Sequence, residues 1–308
     1  MGTRDPRLTD PDAADFVAAL YRERGDWIPG RIAGVAETRG RSQKSRTPDD
    51  DAVTTRDVSV PTRDGHIAGR WYIPRDPSSV VVVFFHGGGW VLGDLEMNDG
   101  LTRELVARSG ALLLSVDYRL APESPFPAAL HDAVDSILWV RDQVDPGMPL
   151  VVAGHSAGGN LGAAATHRLL GIVDAQMLLC PVLDSDLDRQ SYWVNGDGLL
   201  LTTSEMEWYW ELYQPDATRR SDPDASPLRG LPLEGLPECT IVVAGADPLR
   251  DEAVAYAEAA AATGASVALH LQAGVPHLFL TFPPMPSRDE SLDFVGAALR
   301  RVADRHRA

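Results

Sequence analysis

Between residues 80 and 280 short uninterrupted apolar runs alternate with stretches whose apolar positions recur every three or four residues, the pattern of buried strands joined by amphipathic helices. Val80–Phe85, Leu112–Val116, Leu150–Ala153, Gln176–Cys180, Thr240–Ala244 and Val267–Leu271 read as the strands. Leu130, Val134, Ile137 and Leu138 share one helical face, Ala157–Leu170 reads as a second helix, and Asp251–Thr263 as a third that ends at Gly264, where a C′ glycine belongs. Ser287 to Glu290 has the spacing of a capping box, ahead of Leu292, Val295, Leu299 and Val302. Upstream, two alternating segments near Thr54–Val60 and Ile67–Ile73 flank Arg63-Asp64-Gly65, whose Asp-Gly signals a hairpin. Alternation of strand and helix predicts an α/β fold with a mostly parallel sheet covered on both faces.

Two intervals depart from this rhythm. Asp10 as N-cap and Pro11 at the first helical position precede Phe16, Val17, Leu20 and Tyr21, which predicts an amphipathic N-terminal helix. The polar stretch from Arg39 to Asp51 then reads as a linker or mobile loop with solvated basic residues. Later, about sixty residues separate Cys180 from Thr240, far more than a crossover needs, and they hold Trp193, Trp208, Tyr209, Trp210 and Tyr213. This reads as an inserted element over the sheet edge, packed with the N-terminal helix as a cap.

Composition narrows the partners. The formal net charge is −16 and Lys44 is the only lysine, so the surface field opposes nucleic acid and anionic lipid and suits neutral or cationic small substrates. No run approaches the ~18 apolar residues of a membrane span and the N-terminus has no apolar signal region, so the expected location is cytoplasmic, away from membranes. Cys180 and Cys239 each lie at an apolar strand or its edge, as buried free thiols would in a reducing compartment.

The chemistry is concentrated in two segments, each following a strand: His86-Gly87-Gly88-Gly89-Trp90 and Gly154-His155-Ser156-Ala157-Gly158. The second runs from strand directly into helix, the setting of a nucleophile elbow, where glycines admit a tight turn and Ser156 stands at a helix N-terminus. A serine needs a base and an orienting carboxylate, and in the α/β-hydrolases, whose elbow this segment resembles, the chain order is Ser, Asp or Glu, His. Of the histidines after Ser156, His167 falls in a helix, His270 in a strand and His306 in the tail, whereas His277 lies on a loop just beyond a strand. Asp247 follows the strand Thr240–Ala244, and it is preferred over Asp251, which opens the next helix where carboxylates favour the dipole. The oxyanion hole is assigned to the backbone N–H groups of Gly88, Gly89 and Ala157, with His86 bracing its loop.

These segments, with Asp117-Tyr118-Arg119-Leu120-Ala121-Pro122-Glu123, Ser226-Pro227-Leu228 and Asp247–Glu252, resemble the hormone-sensitive-lipase-like branch of the α/β-hydrolases, bacterial esterases with a His-Gly-Gly-Gly motif. The resemblance implies an eight-stranded, mostly parallel sheet with helices on both faces and a helical cap. Residues 1–50 would then form an N-terminal cap segment and linker, and 51–308 the catalytic domain, with a cap insertion at about 185–225. It also implies a Ser156–Asp247–His277 triad, Arg119 and Glu123 as loop braces, cleavage of short- to medium-chain carboxylic esters, and no cofactor or metal. Two positions depart from the family pattern: His155 stands where an acidic or small residue is common, and Leu278 where glycine follows the histidine. An amidase of the aryl-formamidase type shares the elbow sequence, against which Asp117–Glu123 counts, and a catalytically silent receptor on this fold would lack a triad member. Dimerisation through an edge strand or terminal helices is compatible with the sequence, but no residue demands it.

Overall fold

The computed structural model describes residues 5–24, 34–41 and 52–305. The strands are β1 (Val53–Thr62), β2 (Gly65–Pro74), β3 (Val81–Phe85), β4 (Leu112–Asp117), β5 (Leu150–His155), β6 (Ala175–Leu179), β7 (Glu238–Ala246) and β8 (Val267–Pro276). They form one eight-stranded sheet in the order β1-β2-β4-β3-β5-β6-β7-β8. β1 and β2 are a hairpin, β2 runs antiparallel to β4, and every later pairing is parallel.

The helices are α1 (Pro11–Arg24), α2 (Val35–Arg41), α3 (Asp99–Ser109), α4 (Ala128–Gln143), α5 (Ala157–Arg168), α6 (Gln190–Asn195), α7 (Thr203–Tyr213), α8 (Arg250–Ala262) and α9 (Pro286–Arg305). Because strand side chains alternate faces, Val82 and Phe84 of β3 enter a core built with α1, α3 and α9, while Val81, Val83 and Phe85 enter another built with α4 and α5. All five are fully buried, which is why β3 reads as an unbroken apolar run. Among the described residues no helix is long and apolar enough to cross a membrane.

Three sequence expectations need correction or restriction. The stretch expected to be a solvated linker from Arg39 has its first residues in α2, and the Arg39 guanidinium donates to the carbonyls of Val91 and Ala121 and pairs with Glu123 at 2.8 Å. The rest of that stretch, residues 42–51, lies outside the described residues, as does His306. The capping box at Ser287 does not form, because α9 starts at Pro286 and so takes Ser287 into its first turn, where its hydroxyl is buried and finds no partner.

The N-terminal segment and the insertion meet. Asp10 caps α1 by accepting the Ala13 N–H at 2.8 Å, and its own N–H donates to the Gly274 carbonyl, three residues before His277. Tyr21 accepts the Leu200 N–H at 3.2 Å, tying α1 to the insertion. Within the insertion α7 carries a complete capping box, in which Thr202 and Glu205 exchange hydrogen bonds.

Candidate active site

The strand order reverses at β3, which lies between β4 and β5, and on open α/β sheets the crevice beyond the carboxyl ends of the strands at such a point is where ligands bind. Phe85 pairs with Gly154 in register, so the loops leaving β3 and β5 start side by side. The first carries His86–Trp90, and the second carries Ser156.

Ser156 is held between β5 and α5 at φ 57° and ψ −119°, a left-handed conformation that costs energy in any residue other than glycine. The turn depends on its flanking glycines: a Cβ on Gly154 would overlap the Gly158 carbonyl, and one on Gly158 would overlap the Phe85 carbonyl. The Ser156 N–H donates to the Leu179 carbonyl at 2.9 Å, which fixes the elbow against β6. Because Ala157 is the first residue of α5, its N–H has no carbonyl one turn back to bond.

Three side chains from the ends of β5, β7 and β8 form a relay. His277 Nε2 lies 2.8 Å from Ser156 Oγ, and His277 Nδ1 lies 2.7 Å from Asp247 Oδ2. A carboxylate only accepts, so Nδ1 carries the proton and Nε2 is free to accept from the serine hydroxyl. All three residues are buried, with Ser156 retaining 7% exposure. The other Asp247 oxygen accepts the Leu249 N–H at 2.9 Å, and Asn195 of α6 donates to the Asp247 backbone carbonyl at 3.1 Å.

The residues passed over are placed elsewhere. Asp251 accepts the Ser191 N–H at 2.8 Å and pairs with Arg250; His167 meets the Tyr256 hydroxyl at 3.0 Å; His270 meets Gln272 and Ser291, each at 3.1 Å.

The glycine loop is braced from within. His86 Nδ1–H donates to the Gly87 carbonyl at 2.8 Å, its ring stacks on Tyr118 at 4.2 Å, and the Tyr118 hydroxyl donates to the His86 carbonyl. Burial lowers the His86 pKa to about 4, so its ring is neutral. Gly88 has φ 117° and Gly89 φ 60°, and a Cβ on Gly88 would overlap the Leu92 carbonyl. Arg119 pairs with Asp132 at 2.8 Å and Glu123 with Arg39, so both brace the loops beneath.

Sequence reasoning did not assign three features of this region. The Tyr209 ring of α7 lies directly on Gly89, and Trp90 is stacked on Tyr213 at 4.2 Å and tilted against Trp210 at 4.8 Å. The aromatic density of the insertion and the Thr202–Glu205 capping box were the available signals. His155 stacks on His277 with ring centroids 5.6 Å apart; burial first, and His277 next, lower its pKa to about 3. Cys180, free and buried at φ 45°, brings its sulfur beside Asp247 and His277.

Comparison with known proteins finds the same fold among esterases. A family model described as the alpha/beta hydrolase fold matches residues 82–281. The chain is 38% identical to the carboxylic ester hydrolase LipN of Mycobacterium tuberculosis over 74% of its own length and 65% of that relative's, just under two thirds. It is 31% identical to the ethyl acetate hydrolase of Pseudomonas putida over 95% and 98% of the two chains. Among solved structures, a thermostable esterase from Pseudomonas putida superposes with a TM-score of 0.90 at 32% identity, covering 98% of this chain and 99% of that one.

Proposed function

Because this chain belongs to the α/β-hydrolase family, in its hormone-sensitive-lipase-like esterase branch, we propose that it is a serine carboxylesterase acting on short- to medium-chain esters through an acyl-enzyme. The observation that carries the reading is the Ser156–His277–Asp247 hydrogen-bond chain, with 2.8 Å and 2.7 Å links, at the carboxyl edge of the sheet.

In this reading His277 Nε2 takes the Ser156 proton as Oγ attacks the ester carbonyl, and Asp247 steadies the imidazolium without taking its proton. The oxyanion is held by the N–H groups of Gly88, Gly89 and Ala157, and Ala157 adds the positive end of α5. His277 then protonates the leaving alcohol, and the alcohol departs. A water molecule gives its proton to His277 and attacks the acyl carbonyl, which frees the acid and restores Ser156. In the same reading residues 1–50 supply an N-terminal cap segment and a linker, the insertion at about 185–225 completes the cap of the catalytic domain 51–308, and the Tyr209 ring on Gly89 bounds the acyl chain.

The test is initial rates on p-nitrophenyl esters from acetate to long acyl chains, with Ser156→Ala alongside. The expected result is hydrolysis that peaks at short or medium chains and falls by about 10⁶-fold in the variant. Absence of turnover across the series, or an undiminished Ser156→Ala, would overturn the reading.

A further inference from the structure

The sulfur of Cys180, a carboxylate oxygen of Asp247 and a ring nitrogen of His277 lie within 4.8 Å of one another, and all three residues are buried. Their convergence follows from the sheet: Cys180 follows β6, Asp247 follows β7 and His277 follows β8, neighbouring strands whose carboxyl ends share one edge. The Cys180 N–H donates to the Val242 carbonyl at 2.8 Å, which anchors the residue against β7. The reaction proposed above has no use for the thiol. Thiolate, imidazole and carboxylate together are a donor set for zinc and its softer congener cadmium.

The geometry points to a second capacity of this cluster: Cys180, Asp247 and His277 form an inhibitory site for a thiophilic divalent cation, which arrests the enzyme by fixing His277 in the wrong tautomer. The nitrogen facing Asp247 is Nδ1, and its proton occupies the place the ion would take. When the ion binds there, the Nδ1 proton leaves and a proton is carried on Nε2, so the ring stays neutral. The Cys180 thiol releases its proton to solvent, for one proton released per ion bound. Nε2, 2.8 Å from Ser156 Oγ, then bears a hydrogen and donates where it must accept, so the serine keeps its proton. Three protein ligands leave the ion a position for water, the arrangement of exchangeable rather than closed structural sites. Cys239 is a built-in control, because it is buried at the opposite end of the sheet, where it pairs with Gln176 at the start of β6.

The inhibition mechanism rests on the serine-esterase reading, whereas ion binding does not, and the experiment separates them. The full chain, stripped with a chelator and dialysed, is titrated with Cd²⁺ and then Zn²⁺ while p-nitrophenyl acetate hydrolysis and the ultraviolet cadmium–thiolate charge-transfer band are followed. One equivalent should abolish turnover as the band develops. Cys180→Ala should lose the band and raise the inhibiting concentration at least about tenfold, and Cys239→Ala should keep both responses. Should Cys180→Ala fail to fold, Cys180→Ser supplies the same comparison, since its hydroxyl is a poor ligand for cadmium. A wild-type protein without the band, or a Cys180 variant as sensitive as wild type, would overturn the site. A band without any esterase activity would instead overturn the catalytic reading and leave the site standing.

Discussion

In the floor of the site Gly154, Gly158 and Gly88 leave a Cβ no room beside backbone carbonyls, whereas in its roof Tyr209, Trp210 and Tyr213 meet the oxyanion loop through side chains. A backbone contact has no rotamer with which to yield, and a ring contact does. The floor should therefore behave as an all-or-none device, while the roof, built from the α7 aromatics, should tune which esters fit.

The sharpest way to break that contrast is in the floor's hydrogen-bond chain. Asp247→Asn keeps the shape and removes the charge that selects the His277 tautomer, so kcat should fall about 10⁴-fold with KM little changed. Stopped assays on p-nitrophenyl acetate across pH check this, and a loss below tenfold would mean that another group orients the ring. Next in size, Gly88→Ala forces a side chain into a φ of 117° and against the Leu92 carbonyl. Displacing an oxyanion donor costs on the order of 10² to 10³ in kcat, to be compared with a circular dichroism spectrum showing the fold intact.

Acid should reach the floor before the roof, because His86 and His155 are buried in the floor and the roof helices contain no histidine. His86, His155 and, in the last turn of α5, His167 have folded pKa values lowered by burial to about 4, about 3 and about 4. The unfolded chain protonates them near pH 6.5, so their stabilisation is intact above that pH and drains away as pH falls toward the folded values. Glu252, whose pKa burial raises well above the usual carboxylate range, works in the opposite direction. Each ring contributes up to about 1.4 kcal/mol of loss per pH unit between about pH 6 and its folded value, read from urea unfolding at several pH values. A flat profile would show that these rings are hydrated or paired.

The smallest effect belongs to the roof. Tyr209→Ala removes a ring from Gly89 without touching backbone, and should raise kcat/KM for medium chains about tenfold relative to acetate. An unchanged chain-length profile would place the acyl pocket elsewhere.

The division between floor and roof also decided what could be read beforehand. Ser156 was legible because an apolar strand, a Gly-x-Ser-x-Gly turn and a helix of small residues are contiguous, and Asp247 and His277 because each follows a strand in the required order. The contacts of Tyr209 were not, since an aromatic residue advertises burial but not its neighbour, and Gly89 lies far away along the chain. Arg39 was misread for a related reason: alone it looks solvated, and its partners Val91, Ala121 and Glu123 are joined to it only by the fold. At Ser287 two local signals competed, and proline at the first helical position prevailed over the capping serine.

The sheet order carries a consequence for the life of the chain. Ser156 and His277 are separated by 121 positions, and the strand that delivers His277 is β8, which among the described residues is an edge strand paired with β7 alone. The active constellation therefore has no local precursor: it comes into being only when the last parallel pairing closes, after the entropic cost of a long loop has been met. Catalysis is in this sense a gauge of completed folding. It should return late when the denatured chain refolds, and on heating it should be lost as soon as the outermost strand frays, while the interior of the sheet is still whole.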